Sequence, residues 1–190
     1  MFMVKRVLSK VVAVWVFFYI TSFNLYALEM GPDLGKPASK QLIKQWNADV
    51  FPDGKGLPKG QGAAVKGKTV YKTYCLSCHG VEGMGDSADE LAGAMHSLTD
   101  KPPDKTIGSY WPYATTLFDF IRRAMPLNSP GILNTDEIYA VTAYLLYLNG
   151  IIAVDTQLDA NNLAGIDMPN MNGFINIYEK DKNTDLSISH

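Results

Sequence analysis

Two cysteines three positions apart, followed at once by a histidine, carry the clearest chemical signal in this chain: Cys75-Leu76-Ser77-Cys78-His79. If this pentapeptide forms about one helical turn, both thiols can reach the two vinyl groups on one edge of a porphyrin, and the imidazole then faces the iron. The pattern is typical of covalent haem c attachment. The sequence therefore predicts thioether bonds from Cys75 and Cys78 and an axial bond to iron from His79.

The same cysteines could instead form a structural disulfide, half of a zinc site or a thioredoxin-like redox pair. A zinc site needs about four ligands, and the chain has no other cysteine and only His96 and His190 as further histidines. A redox pair is expected beside a βαβ pattern, which this stretch lacks. The comparison favours one covalent haem c, with its iron, over the three alternatives.

A low-spin electron carrier also needs a second axial ligand, opposite His79. Methionine sulfur prefers ferrous iron and so raises the reduction potential. Met125 is favoured by its position, because it precedes Pro126 in a loop between two predicted helices, and that loop can cross the open haem face. A lone methionine more often packs in a core, so four alternatives stay open: His96, Met84, Met95 and Met168.

Residues just before Met125 could hold the haem propionates. The guanidinium groups of Arg122 and Arg123 suit carboxylates, but the two residues fit the solvated basic end of a helix equally well. Trp111 and Tyr110 could donate hydrogen bonds to a propionate, although core packing or partner contact would explain them too. We name Trp111 and Arg123 as candidate cofactor-binding residues.

Helical periodicity begins at Ala63 and places the attachment site. Gly67, Tyr71 and Cys75 lie four residues apart and share one helix face. A glycine one turn before an aromatic residue lets another helix approach closely, and the aromatic ring then fills the crossing point. The sequence predicts a helix crossing at this face.

The crossing partner is predicted near the end of the haem region. Asn134 or Thr135 can cap this helix, Glu137 can complete a capping box with Asn134, and Asn149-Gly150 supplies the stop. Its apolar stripe consists of Ile138, Val141, Leu145 and Leu148, flanked by Tyr144.

A third helix is predicted from Tyr113 to about Ala124, opened by Pro112 and ended by Pro126. Residues 80–109 have no sustained periodicity and are interpreted as a loop around the haem edge. Helices crossing beside a covalently held haem indicate an all-α chain with the architecture of a class I cytochrome c.

The sequence divides into four segments: residues 1–27, 28–62, 63–150 and 151–190. In the first, Lys5, Arg6 and Lys10 precede an apolar run, which is typical of a secretory signal peptide cut after Ala27. An uncleaved membrane anchor is the alternative. Export to the periplasm agrees with haem c, which is attached outside the cytoplasm.

Cleavage at this point would take the formal net charge from −2 to −5. A mildly acidic protein is a poor candidate for nucleic-acid binding. Residues 63–150 form the predicted haem domain, and residues 151–190 form an extension that ends in a polar tail from Glu179.

Residues 28–62 are rich in glycine, proline and lysine, which excludes a long helix or a central strand. A short helix is predicted from Ala38 to Trp46. We interpret the segment as an arm that packs on another surface, and a disordered leader is the alternative.

Two long segments, residues 107–126 and 136–150, resemble the cytochrome subunit of periplasmic sulfite and sulfane dehydrogenases, with the subunit of the Sox thiosulfate-oxidation system the closer match. Three shorter stretches favour the same resemblance: residues 46–58, 75–80 and 168–174. The resemblance covers nearly the whole mature chain, about residues 36–174. The haem motif is common to all c cytochromes, whereas the segment from Trp111-Pro112 to Met125-Pro126 is far more discriminating.

The resemblance implies an assembly with a molybdenum-cofactor subunit that oxidises a sulfur atom. This chain would accept the electrons and pass them to a downstream cytochrome or oxidase, with thioether attachment at Cys75 and Cys78 and axial ligation by His79 and Met125. Some relatives carry a second haem domain, but two cysteines allow only one haem, so the chain must relay one electron at a time.

We therefore expect an electron-transfer subunit that is not itself an enzyme. A freely diffusing cytochrome is one alternative, and a haem enzyme with an open iron site is another. The arm and the stretch Met168–Phe174 are predicted to contribute to the partner interface.

Overall fold

Residues 35–175 and Trp15 are described by the computed structural model. The chain divides into two units, residues 1–43 and 44–190. The predicted signal peptide and the polar tail from Glu179 lie outside the described residues. Within the described part of the chain, no helix is both long enough and apolar enough to cross a membrane.

Helix α1 spans Lys40–Trp46. Its start is capped by Ser39, whose hydroxyl accepts the Leu42 N–H at 3.1 Å. The helix predicted in this stretch is confirmed, with a start two residues later than expected. Leu42 and Ile43 are exposed by 45% and 53% and Trp46 by 80%, so the apolar side chains of α1 lie at the surface.

Four further helices lie in the described part of the second unit: α2 (Ala64–Tyr74), α3 (Leu76–His79), α4 (Ala114–Ala124) and α5 (Thr135–Leu148). Short 3-10 turns cover Val81–Gly83 and Leu163–Gly165. Two three-residue strands, β1 (Gln61–Ala63) and β2 (Gln157–Asp159), pair antiparallel with Gln61 opposite Asp159. The predicted all-α fold class holds, with this small sheet as an addition.

The predicted crossing of α2 and α5 is confirmed. A Cβ on Gly67 would lie 1.9 Å from the Ala140 carbonyl oxygen, so only glycine permits this approach. The rings of Tyr71 and Tyr144 meet beside it with centroids 5.4 Å apart. Tyr71 is 1% exposed, as expected for an aromatic residue that fills the crossing point.

Helix α5 is the centre of the core. Its capping box is present, because Asn134 accepts the Glu137 N–H at 3.0 Å and Glu137 accepts the Asn134 N–H at 2.9 Å. Every residue from Ile138 to Leu146 is buried. The buried surface of α5 is wider than the predicted apolar stripe, since α2, α4 and the sheet all pack against this helix.

The second half of the predicted arm belongs to the packed structure. Val50 is buried and donates its N–H to Asp119 of α4 at 2.9 Å. Arg122 donates to the Ala48 carbonyl at 2.9 Å, and the Tyr139 hydroxyl donates to the Pro58 carbonyl at 2.9 Å. Residues 48–60 therefore pack against α4 and α5.

The stretch after the sheet also returns to the core. Met168 is 4% exposed, and Asn170 donates its side-chain amide to the Tyr110 carbonyl at 2.7 Å. Phe174 is 52% exposed and contacts the Tyr110 ring edge-on, with centroids 5.4 Å apart. Met168 therefore belongs to the core, whereas Phe174 at the end of the stretch is available at the surface.

Candidate functional site

The motif Cys75–His79 folds as the predicted helical turn. Cys75 ends α2 and precedes α3, which contains Cys78 and ends at His79. The carbonyl of Cys75 accepts the N–H groups of Cys78 at 3.1 Å and His79 at 2.9 Å. One turn of backbone therefore carries both thiols and the imidazole.

The side chain of His79 is oriented by the loop that follows it. Its Nδ1 lies 2.9 Å from the carbonyl oxygen of Asp89. Because a carbonyl can only accept, Nδ1 must carry the proton, and Nε2 then keeps a free lone pair. The backbone fixes His79 in the tautomer that a metal ligand needs.

Cys75 is half-buried and Cys78 is exposed, and no disulfide bond joins them. Burial, and then the neighbouring Cys78, raise the pKa of the Cys75 thiol to about 11. A redox-active cysteine pair has a lowered thiol pKa. The surroundings of Cys75 thus differ from those of a thioredoxin-like site.

A cavity of about 650 Å³ adjoins the helical turn and is lined by Cys75, Cys78, His79, Trp111 and Met125. This volume lies within the range of roughly 300–1,000 Å³ for cofactor and ligand sites. Most of the remaining wall is apolar: Leu91, Ile107, Leu117, Phe120, Ile121, Leu133, Val141 and Leu145. An apolar wall with two thiols, an imidazole and a thioether fits a covalently held iron porphyrin.

Met125 reaches the cavity directly after α4 ends. Its backbone is extended, and its N–H donates to the Ile121 carbonyl at 3.1 Å. The following residues Pro126, Leu127 and Asn128 line the same cavity.

The four alternative ligands do not line this wall. Met84 and Met95 are exposed by 57% and 84%, and Met168 is buried in the core. The Nδ1 of His96 lies 3.2 Å from the Asp104 carboxylate. Of the described residues that line the cavity, Met125 is the one methionine.

The structure separates the two candidate propionate partners. Trp111 lines the cavity and meets Phe120 edge-on at 5.8 Å between centroids. Arg123 is not part of the wall: its Nε donates to Asp119 at 3.0 Å and lies 4.0 Å from Asp49. Since these carboxylates already neutralise its charge, we do not include Arg123 among the residues proposed to bind the haem.

Sequence reasoning missed the groups that hold the turn in place. The carbonyl of Asp89 leaves no trace in the sequence, because any residue type could supply it. Tyr71 was assigned to packing alone, yet its hydroxyl donates to the Gly80 carbonyl at 2.8 Å. Burial raises the pKa of Tyr71 to about 12, so this donor keeps its proton at neutral pH.

Comparison with known proteins identifies the chain. A model of the family described as cytochrome c matches residues 64–149. A chain in the crystal structure of the sulfane dehydrogenase SoxCD from Paracoccus pantotrophus is 41% identical, with a TM-score of 0.71. The alignment covers 80% of this chain and 76% of that one. This chain belongs to the cytochrome c family.

The cytochrome therefore binds haem c covalently, with iron as its metal. The resemblance to the cytochrome subunit of Sox-type sulfane dehydrogenase, predicted from the sequence, is confirmed, as is the class I cytochrome c fold. No curated protein matches the chain.

Proposed function

We propose that this cytochrome accepts electrons one at a time from a molybdenum-cofactor subunit that oxidises sulfur, and passes them to a downstream cytochrome or oxidase. The likeness to a chain of the sulfane dehydrogenase SoxCD carries the proposal, because it extends over 80% of the chain rather than the haem motif alone. The predicted signal peptide supports a periplasmic location.

Each wall residue has a distinct role in the proposed site. Cys75 and Cys78 would hold the cofactor through thioether bonds, and His79 would bind iron through the free Nε2. Met125 would supply a second iron ligand through its sulfur, and Trp111 packs at the edge of the cavity. Bound haem c supplies a one-electron change at iron, and the apolar wall excludes water from it.

Two protein ligands on the iron leave no open position for a substrate. We therefore propose an electron-transfer subunit rather than an enzyme, with the sulfur chemistry on the partner. A two-electron oxidation there needs two successive transfers through this single haem.

The surface of α1 suits the contact with the molybdenum-cofactor subunit. Leu42, Ile43 and Trp46 are exposed, and aromatic residues are enriched at protein interfaces. Residues 48–60 are committed to α4 and α5. We propose segment boundaries at 1–27, 28–62, 63–150 and 151–190. Within the arm (28–62), the partner-binding part is limited to residues 35–46, and Phe174 provides a second exposed contact.

Co-purification of the tagged holoprotein from its native periplasm, with metal analysis, tests the function. We expect molybdenum together with one iron per chain, and reduction of the haem when sulfite or a sulfane-loaded carrier protein is added. Iron alone under gentle salt would overturn the proposal in favour of a freely diffusing carrier.

The double variant Ile43→Ala/Trp46→Ala tests the interface. It should lose molybdenum while keeping the haem spectrum. Val65→Ala is the matched control, because it removes an apolar side chain that is 68% exposed on α2. Equal molybdenum recovery in both variants would show that α1 does not bind the partner.

A further inference from the structure

The side chain of Asn149 links the end of α5 to the loop that forms part of the cavity wall. Its Oδ1 accepts the Gly108 N–H at 3.0 Å. Its Nδ2 donates to the carbonyls of Leu91 at 3.0 Å and Leu145 at 2.8 Å. Only the bond to Leu145 satisfies a carbonyl of α5 itself, so helix termination does not account for the other two.

Gly108 leaves the space that this contact needs. A Cβ there would lie 2.7 Å from Asn149 Oδ1 and 3.0 Å from Asn149 Cβ. The Gly108 φ angle is not in the left-handed region, so the requirement at this position is room rather than backbone freedom. Glycine at position 108 and the side-chain bonds of Asn149 together allow the loop to lie against the end of α5.

The loop held by Asn149 leads back to His79. Leu91 and Ile107 both line the cavity, and the Leu91 carbonyl also accepts the Ile107 N–H at 3.1 Å. Leu91 stands two residues after Asp89, whose carbonyl accepts the proton of His79 Nδ1 at 2.9 Å. The Leu91 N–H is itself bound to the Gly83 carbonyl at 2.7 Å. Displacement of Leu91 therefore moves the acceptor of the imidazole proton.

We propose that Asn149 is a positioning residue that fixes the hydrogen bond between His79 and the Asp89 carbonyl, and thereby the donor strength of the axial imidazole. A hydrogen bond from the second ring nitrogen raises the basicity of a metal-bound histidine and orients its ring. The inference rests on the proposed axial role of His79 and adds a residue 70 positions away in sequence.

Three variants interrupt the link in the reduced holoprotein. Asn149→Ala removes all three bonds, whereas Asn149→Asp keeps the acceptor for Gly108 and loses the donor to Leu91, so it answers the question if the alanine variant fails to fold. Gly108→Ala displaces the Asn149 side chain without changing α5. We expect the His79 Nδ1 proton to exchange with solvent at least tenfold faster in all three, measured by NMR against the Tyr71 backbone amide in α2.

The midpoint potential gives a second readout. A less basic imidazole favours ferric iron less, so the potential should rise in the three variants; for one electron a tenfold change in that preference corresponds to about 59 mV. Gly150→Ala is the control, because it strains the end of α5 at φ +70° and its Cβ would contact nothing within 4 Å.

Unchanged proton exchange in the three variants, or an equal change in Gly150→Ala, would overturn the proposal. Failure of the underlying ligand assignment is distinguishable from either outcome. If His79 does not bind iron, the variant His79→Ala leaves the low-spin absorption spectrum of the holoprotein unchanged.

Discussion

The two stretches that carry the proposed axial ligands are held by different kinds of contact. His79 is fixed by bonds to residues close in sequence: its carbonyl accepts the Gly85 N–H at 2.9 Å, and its ring bonds to Asp89, ten positions away. Met125 follows α4, and α4 is anchored by Val50, 69 positions from its acceptor Asp119. After Met125 the chain is exposed to solvent, and the Leu127 side chain is 80% exposed.

The side of the site that carries the haem attachment motif is therefore held by different contacts from the side that carries Met125. The His79 ring and carbonyl bond to residues of their own loop, and Asn149 is the distant residue that secures this loop. The Met125 side depends on residues 48–60 reaching α4. Perturbation of residues 48–60 should therefore affect the methionine ligand before the histidine ligand.

The largest effect is expected from Met125→Ala. Haem c should stay attached, since Cys75, Cys78 and His79 are unchanged. The reduction potential should fall by a substantial part of the roughly 0.8 V range that axial ligands span, because the ferrous-preferring thioether is lost. Spectroelectrochemistry measures the change. Met84→Ala, at a 57% exposed side chain outside the cavity wall, is the control, and an unaltered potential in Met125→Ala would refute the ligand assignment.

An intermediate effect is expected from Asp119→Ala. The substitution leaves the buried Val50 N–H without its acceptor and Arg123 without its main partner. The free energy of unfolding should fall by about 1–3 kcal/mol, measured by urea denaturation of the holoprotein.

The same titration can follow the absorption band of the methionine–iron bond. In Asp119→Ala this band should disappear at a lower urea concentration than the helical circular dichroism. Asp155→Ala removes an exposed carboxylate and should change neither signal. Simultaneous loss of both signals in Asp119→Ala would contradict the idea that long-range contacts hold the Met125 side in particular.

The smallest effect is expected from Asp104→Asn, on the His79 side. The Asp104 carboxylate accepts the N–H groups of His96 and Met95 at 2.8 Å each. These bonds, that of His96 first, lower the pKa of Asp104 in the folded protein. Their contribution to stability is therefore present above the unfolded pKa of about 3.9 and is lost as the pH falls through the lower folded value.

Hydrogen exchange at the two amides provides the measurement. At pH 7, Asp104→Asn should exchange faster at Met95 and His96, while the reduction potential stays unchanged. The unmodified protein should approach the same rates, corrected for intrinsic exchange, only below the folded pKa. A shift in potential would mean that the Asp104 carboxylate itself also influences the iron.

Local sequence patterns predicted local structure well. The turn Cys75–His79 and the capping box of α5 each depend on residues within a few positions, so spacing alone indicates them. The close approach at Gly67 is a long-range contact with α5, and spacing indicated only the face of α2 that makes it. The strands β1 and β2 were missed because three residues are too few to show a period.

Long-range contacts explain the remaining differences. Residues 48–60 were predicted to belong to an arm because their hydrogen-bond partners lie on α4 and α5, far along the chain. Arg123 was considered for a propionate, although Asp119 stands four residues earlier on the same helix, a spacing that favours an ion pair. That signal was available in the sequence.

The pairing of β1 with β2 also determines how the protein responds to force. The chain enters β1 and leaves β2 at the same end of the pair, where Gln61 faces Asp159. Tension between the two extensions therefore loads the strand hydrogen bonds one after another, as in a zipper. A partner that pulls on the segment before β1 would also load the bonds from residues 48–60 to α4 and α5, so the force would reach the Met125 side of the site before the His79 side.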